Sequence, residues 1–393
     1  MPKSNLVHHM KEFHYTGYAQ EVIFNVGSIA RLSQAVDRFH VRRLMLCTTG
    51  SARRNGHVAS IEAALGNRLV AVYDHAQPHV PDFQVAEALA MAVEQQVDAI
   101  IGLGGGSPIG LAKAVSLALE EKRTGRSARA SFPTDQPLIL IVAIPTTYAG
   151  SEMTAVYGIT QHTDGSPRKI TVTDPKITPK LVIYDPRLTL DLPPALTASS
   201  GINALAHCVE AVYSITRHPI STAAALSGAQ HIARALPRCH AAGDDLDARV
   251  EMLMGSHLAA AALSNVAMGF HHGLCHALGG TAGVPHGTAN AIVLPHAMRF
   301  NLDATAAQLA EIAAAIGLAV ANRSAESAAE AAAHRISDLI HQLNLPQRLR
   351  DVGVNKTDLP HLAEVALQSR AVQSNPKPIR DAAQIEAVLE AMW

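Results

Sequence analysis

The stretch VDAIIGLGGGSPIGLAKAVSLAL (Val97 to Leu119) restricts the fold more than any other part of the chain. An apolar run, Asp98 to Leu103, meets three consecutive glycines and then a helical stretch rich in Ala, Leu and Val. The pattern predicts strand, tight turn, helix. Ser107 is placed to cap the helix, and Pro108 suits its first position. Gly104, Gly105 and Gly106 let backbone N–H groups approach an anion, and the helix N-terminus adds partial positive charge. A pyrophosphate would suit that place. The run is not GxGxxG, because Ser107 stands where the last glycine would be, and it follows a later strand. A purely structural turn explains the glycines equally well at this point.

The rest of the first half alternates in the same way. Arg43 to Cys47, Arg68 to Tyr73, Leu138 to Ile144 and Leu181 to Tyr184 read as strands, and Phe83 to Gln96 as a helix. The run LILIVAI is fully apolar, as expected where helices cover both faces of a parallel sheet. Two further polar turns follow strands: TTGS (Thr48 to Ser51) and PTTYAGSEMT (Pro145 to Thr154). In an open α/β sheet, ligands sit beyond the carboxyl ends of the strands. Together the three turns point to a dinucleotide cleft, with Thr48, Thr49, Gly104, Gly105, Gly106, Ser107, Thr146, Thr147 and Ser151 as candidate cofactor contacts. Turn and cap chemistry is the plain alternative for the hydroxyls. Glu120 to Pro137 is polar and reads as an exposed excursion.

From Leu196 onward the segments have helical period, with no convincing strand. Ser324 to Gln342 is one Ala-rich helix. The expected organisation is an α/β nucleotide-binding domain over residues 1–188 and an all-helical domain over residues 189–393. Charged residues make up only 17% of the chain, against roughly 25% in an average soluble domain. That suits helices buried on several sides or a subunit interface. A net charge of −1 gives no reason to expect nucleic acid or an anionic membrane as partner. The four scattered cysteines, with no CxxC, read as free thiols. The N-terminus has no apolar signal region, so a cytoplasmic location is expected.

FHHGLCHALGGTAGVPHG (Phe270 to Gly287) holds four histidines. His272 and His276 are four apart and share a helix face. His286 follows three glycines and a proline that should turn the chain back. Clustered imidazoles suit a metal site or a metal-free acid/base pocket. His271 lies off the shared face and reads as structural.

In chain order, GGGSPxxxAK, PTTxxxSE, a helix with xxALxHxxEA, HGxxHxLG and PHGxAN resemble the iron-containing (group III) alcohol dehydrogenase superfamily. The resemblance implies a Rossmann-like parallel-sheet domain followed by an all-helical domain, the dehydroquinate synthase-like architecture, and a homodimer. It also implies that His207, His272 and His286 correspond to metal ligands in the metal-dependent members. There a D-x-x-x-H helix supplies the first two ligands, but here that helix reads SGINALAHCVEA, with Asn203 at the aspartate position. A neutral amide is a weaker donor to Fe²⁺ or Zn²⁺ than a carboxylate. Glu210 is near in helical phase, but the family carries glutamate there without using it as a ligand. Gly110 also replaces the usual aspartate.

These departures, with TYAGSEMT and Tyr148, resemble the maleylacetate reductase branch. Those enzymes reduce the carbon–carbon double bond of maleylacetate to 3-oxoadipate with NADH or NADPH, in aromatic-compound degradation, and are not thought to need a metal. On that reading Asn203, His207, His272 and His286 form a vestigial cage. The substrate is a dicarboxylate whose alkene is conjugated to a ketone. Hydride addition leaves an enolate, which hydrogen-bond donors can stabilise. His272 and His276 are expected to donate to it and supply a proton, with His286 and Tyr148 as further donors. Asn203, His207 and Lys169 are the candidate substrate-binding residues.

At the adenosine ribose, Thr48, Thr49 and Ser51 are neutral, and Arg53 or Arg54 can approach a 2′-phosphate. Use of NADPH at least comparable to NADH is therefore expected, unless Asp74 selects against it. The rival reading is a metal-dependent alcohol dehydrogenase or a lactaldehyde-reductase-type enzyme, against which Asn203 argues. A dehydroquinate-synthase-like lyase would need a fuller cage and a basic cluster. A non-catalytic regulator would not need both the glycine loop and the histidines.

Overall fold

The computed structural model describes residues 13, 15–125, 139–163 and 166–393, without the side chains of residues 163 and 166–169. The strands are β1 (Glu21–Phe24), β2 (Leu44–Cys47), β3 (Leu69–Tyr73), β4 (Ala99–Gly104), β5 (Leu140–Pro145), β6 (Val156–Thr163), β7 (Ser166–Thr173) and β8 (Leu181–Tyr184). Six of them form one parallel sheet in the order β1-β8-β5-β4-β2-β3. Every residue of β2, β4, β5 and β8 is buried, as apolar runs covered on both faces require.

The short helices α1 (Leu32–Asp37), α2 (Gly50–Arg54) and α3 (His57–Leu65) precede α4 (Asp82–Glu94) and the long α5 (Gly106–Thr124). The strand order reverses between β2 and β4. From β2 the chain moves outward to β3, and from β4 it moves the other way through β5 to β8. A crevice opens at the carboxyl ends of strands where the order reverses. The loops after β2, β4 and β5 therefore stand side by side at that place.

Beyond the sheet come α6 (Pro194–Tyr213), α7 (Pro219–Ala241), α8 (Leu246–Leu263), α9 (Phe270–Thr281), α10 (His286–Phe300), α11 (Leu302–Ala315) and α12 (Ala325–Gln342), then α13 (Leu359–Leu367), α14 (Arg370–Gln373) and α15 (Ala382–Ala391). No strand occurs after Tyr184 among the described residues. One apolar core joins Tyr148, Met153, Val182 and Tyr184 of the sheet region to α6, α7, α8 and α12. A second, around α9, α10 and α13, holds the histidine helix. No helix among the described residues is long and apolar enough to cross a membrane. All four cysteines are buried free thiols.

Three expectations need correction. Two elements were not anticipated: the edge strand β1 and the antiparallel hairpin β6–β7. The hairpin's strands are polar and short of the apolar signal of a core strand. The polar excursion does not begin at Glu120. Helix α5 runs on to Thr124, with Glu120 only 1% exposed, and stops at the left-handed Gly125, φ 64°, a common helix terminator. Residues 126–137 of that excursion, and Leu138 of the expected strand, lie outside the described residues. Finally, Ser107 is not the cap of α5. The helix begins at Gly106, with Gly105 in the cap position and no side chain bonded there.

Candidate functional site

The missing cap has a consequence for the glycine loop. Gly104 has φ +136°, a conformation L side chains rarely adopt, and a Cβ there would lie 2.9 Å from Pro108 Cγ. With no side chain on the first N–H groups of α5, the backbone of Gly106 and Ser107 is left to an anion from outside. Gly105 is covered by the next loop: a Cβ there would meet Thr147 Oγ1 at 3.1 Å and Cγ2 at 3.2 Å. The Thr146 N–H donates to the Gly104 carbonyl at 3.0 Å. The loops after β4 and β5 are thus one cradle. Thr49 caps α2, its hydroxyl accepting from Ala52 N at 3.4 Å and lying 2.8 Å from Ser51 Oγ. Thr48 is fully buried and donates to the Leu103 carbonyl at 2.9 Å. It fastens β2 to β4, so any part in cofactor contact falls to its neighbours.

Lys113, which the sequence reading passed over, shapes the hydroxyl loop. Its side chain is fully buried in α5, and Nζ donates to the carbonyls of Ser151 (2.6 Å), Thr154 (2.7 Å) and Val156 (2.9 Å). Burial pushes the ammonium down to about 7, while three acceptors match its three protons. The loop then passes through Gly150 at φ +82°. A Cβ at Gly150 would lie 2.9 Å from Ala260 Cβ and 3.8 Å from His207 Nδ1. At this contact the loop after β5 meets the histidines.

Tyr148 is not where the sequence reading put it. It is fully buried, and its hydroxyl accepts from Arg249 Nη1 at 2.9 Å. Arg249 also donates to Thr197 Oγ1 at 3.0 Å and to the Gly243 carbonyl at 2.9 Å. Burial pushes the phenol up to about 12. The ring fills the apolar core between sheet and helices, where a bulky aromatic is favoured, so Tyr148 is withdrawn as a donor to substrate. In the pair at β3, Asp74 accepts from Arg53, and that hydrogen bond holds its carboxyl below the usual range. The Lys169 backbone pairs with Thr160 in the hairpin. Its side chain lies outside the described residues, as does the expectation attached to it.

The histidines do assemble. His207 of α6 stacks on His272 of α9 with ring centroids 4.8 Å apart. His272 lies 6.3 Å from His276 and 6.0 Å from His286, and His276 stacks on His286 at 5.7 Å. His207 and His272 are buried, while His276 and His286 are more open. The group therefore has a dry floor and a wetter rim. Burial first, then the neighbouring imidazole, pushes His272 down to about 3, so the ring is neutral near pH 7. Asn203 Oδ1, His207 Nδ1 and His272 Nε2 are buried with no hydrogen-bond partner among the described residues.

A helix N-terminus holds this floor in place. The N–H groups of Gly269 and His271 donate to Glu210 Oε1 at 3.0 and 3.2 Å, and that of His272 to Oε2 at 3.3 Å. The Phe270 N–H donates to Asn375 Oδ1 at 3.1 Å. Two side chains remote in sequence therefore take the first four donors of α9. His271, as anticipated, is structural in its contacts: it is fully buried, with Nε2 3.2 Å from the Asn290 carbonyl.

Two groupings invite a test for a metal. Among the described residues, the compact set of ligand atoms is Glu210, His271 and His272. Glu210 Oε2 lies 2.5 Å from His272 Nδ1. Two ligands on a tetrahedral ion at about 2.0–2.1 Å would stand roughly 3.3 Å apart, so that spacing is a hydrogen bond. Both carboxylate oxygens are, moreover, already taken. The other set is Asn203, His207, His272 and His286. Its fourth donor is a neutral amide, weaker toward Fe²⁺ or Zn²⁺ than a carboxylate. The amide set lacks the anionic ligand a transition-metal ion favours, and the carboxylate set is engaged in hydrogen bonds at the start of α9.

Comparisons with known proteins agree with the architecture. A family model described as iron-containing alcohol dehydrogenase matches residues 19–186, and the C-terminal model of the Fe-containing alcohol dehydrogenase family matches residues 197–393. The maleylacetate reductase of Pseudomonas knackmussii is 37% identical over 362 residues, 92% of each chain. The crystal structure of maleylacetate reductase from Agrobacterium tumefaciens superposes with a TM-score of 0.82 at 32% identity, covering 98% of this chain and 99% of that one. A 1,3-propanediol oxidoreductase, also 32% identical, gives a TM-score of 0.90 over 98% of this chain and 100% of its own.

Proposed function

From the premise that this chain belongs to the iron-containing alcohol dehydrogenase family, an oxidoreductase family that uses NAD(P), we propose that it is a maleylacetate reductase. The reaction is maleylacetate, NAD(P)H and a proton going to 3-oxoadipate and NAD(P)⁺. The observation that carries the reading is Asn203, an amide in the carboxylate position of the family's cage, beside His207 Nδ1 and His272 Nε2, two buried ring nitrogens that face no hydrogen-bond partner among the described residues. The named maleylacetate reductases among its relatives support it.

When bound, the reduced nicotinamide supplies hydride to the alkene carbon β to the ketone. Gly104, Gly105, Gly106 and Ser107, with Thr49, Thr146, Thr147 and Ser151, are the proposed contacts for the dinucleotide. The remaining work belongs to the pocket. An enolate oxygen is a weaker base than an alkoxide, so hydrogen bonds can carry its charge without a metal. His276, at the open rim, is the proposed donor to the enolate oxygen, with His286 as a further donor. His272 is placed to deliver the proton to the carbon α to the ketone. A dianionic substrate raises the proton affinity of every imidazole it approaches. Asn203 and His207 complete the wall. We place the domain boundary at residues 188/189, with the site in the cleft between the two domains, and expect a homodimer with no metal requirement.

The test is NAD(P)H oxidation followed with maleylacetate beside simple aldehydes, ketones and lactaldehyde. Strong preference for maleylacetate is the expected result. Preference for an aldehyde, with metal required, would favour the metal-dependent alcohol dehydrogenase or lactaldehyde-reductase reading.

A further inference from the structure

We infer that Glu210 is a positioning residue that fixes the tautomer of His272, so that Nε2 alone exchanges protons with the pocket. The inference rests on the proposed function only for its kinetic consequence. Its structural part stands on the carboxylate's contacts, beside which His271 Nδ1 lies 3.9 Å from Oε2 and 3.2 Å from His272 Nδ1. Oε1 accepts from Gly269 N at 3.0 Å, His271 N at 3.2 Å and the Tyr213 hydroxyl at 3.3 Å. Oε2 accepts from His272 N at 3.3 Å and faces His272 Nδ1 at 2.5 Å. Three of these partners are backbone N–H groups, which can only donate. The carboxylate also sits at the positive end of α9, where negative charge is favoured.

Burial pushes the Glu210 carboxyl up, while His271, the N–H groups of His272 and Gly269 and the Tyr213 hydroxyl pull it down; as the carboxylate it only accepts, and facing Nδ1 it requires the proton there. The lone pair of the neutral ring is then on Nε2, the atom that is buried and unpartnered at the pocket floor. The same carboxylate sets the orientation of the ring, because it holds the first turn of the helix that carries it. Such a partner is to a catalytic imidazole what an outer carboxylate is to a metal-bound one: it fixes which nitrogen works. In turnover Nε2 takes a proton from solvent and passes it to the α carbon of the enolate. The bond broken is Nε2–H, the bond formed is C–H, and Nδ1–H stays on Glu210 throughout.

The arrangement makes Glu210→Gln an unusually informative variant. Its carbonyl oxygen must stay at the Oε1 place, because two backbone donors and a phenol face it. The amide nitrogen must then stand at the Oε2 place, where it donates to Nδ1 and leaves the His272 N–H without its acceptor. The variant has the same shape, yet it forces the proton of His272 to Nε2. The experiment is long-range ¹H–¹⁵N correlation on histidine-labelled protein, wild type and Glu210→Gln, paired with steady-state kinetics. We expect wild-type His272 to show Nδ1 protonated and Nε2 bare, and the variant to show the reverse. With maleylacetate, kcat should fall by about 10-fold or more while KM changes by less than about 3-fold. A wild-type spectrum with Nε2 protonated would overturn the inference, whether or not the variant folds. So would a reversed tautomer with unchanged kcat. Absence of wild-type activity on maleylacetate would instead strike the proposed reaction and leave the tautomer result intact.

Discussion

The two candidate binding surfaces are made of different material. On the sheet side the candidate binding surface is backbone: glycines, uncapped N–H groups and a loop clamped from below by Lys113. On the helical side it is side chains: four imidazoles and an amide, held by a carboxylate and an asparagine from distant segments. A backbone surface recognises what every dinucleotide shares, its phosphates. A side-chain surface can be retuned one residue at a time.

The comparison can be broken by mutation, starting with the largest effect. Lys113→Met should leave three buried carbonyls unpaired, at a cost on the order of 3 kcal/mol. The measurement is chemical denaturation. A variant as stable as wild type would mean that the hydroxyl loop does not depend on its clamp. Next, His272→Ala and His276→Ala should each lower kcat by about 10²-fold, the scale of a lost acid or oxyanion donor, with cofactor affinity nearly unchanged. Folded mutants with wild-type turnover would make the pocket structural. Gly105→Val should do the opposite. Its side chain would press on Thr147 and part the two loops, raising the NAD(P)H dissociation constant by about 10-fold. The histidine side should be untouched.

The smallest effect is expected at Asp74, whose charge is already countered by the half-exposed Arg53. Asp74→Ala should change the NADPH-to-NADH ratio of kcat/KM by no more than about 5-fold, as befits an exposed ion pair. A change of about 100-fold would move the adenosine ribose from the end of β2 to the end of β3.

The same contrast explains what could be read from the sequence. The glycine loop, the polar turns and the buried strands are local patterns, and they appear in the structure where the sequence places them. The histidines could be grouped because His272 and His276 share a helix face and His286 follows a turn. What joins residues far apart could not be read. Glu210 meets Gly269 across 59 positions, and Asn375 meets Phe270 across 105. Nothing local announces either pairing, although xxALxHxxEA carries Glu210. Ser107 misled because a serine before Pro is a strong cap signal, yet the turn continues the helix back to Gly106. Tyr148 misled because a loop tyrosine looks like a donor until the buried Arg249 is seen beneath it.

The central claim is that this pocket reduces a conjugated double bond with hydrogen bonds in place of a metal. The most direct measurement is turnover of maleylacetate by protein dialysed against EDTA, with bound iron and zinc counted in the same sample. The account predicts full activity at well under one metal ion per chain, and no gain on adding Fe²⁺ or Zn²⁺. Activity that disappears with the metal and returns in proportion to the Fe²⁺ or Zn²⁺ restored would contradict it.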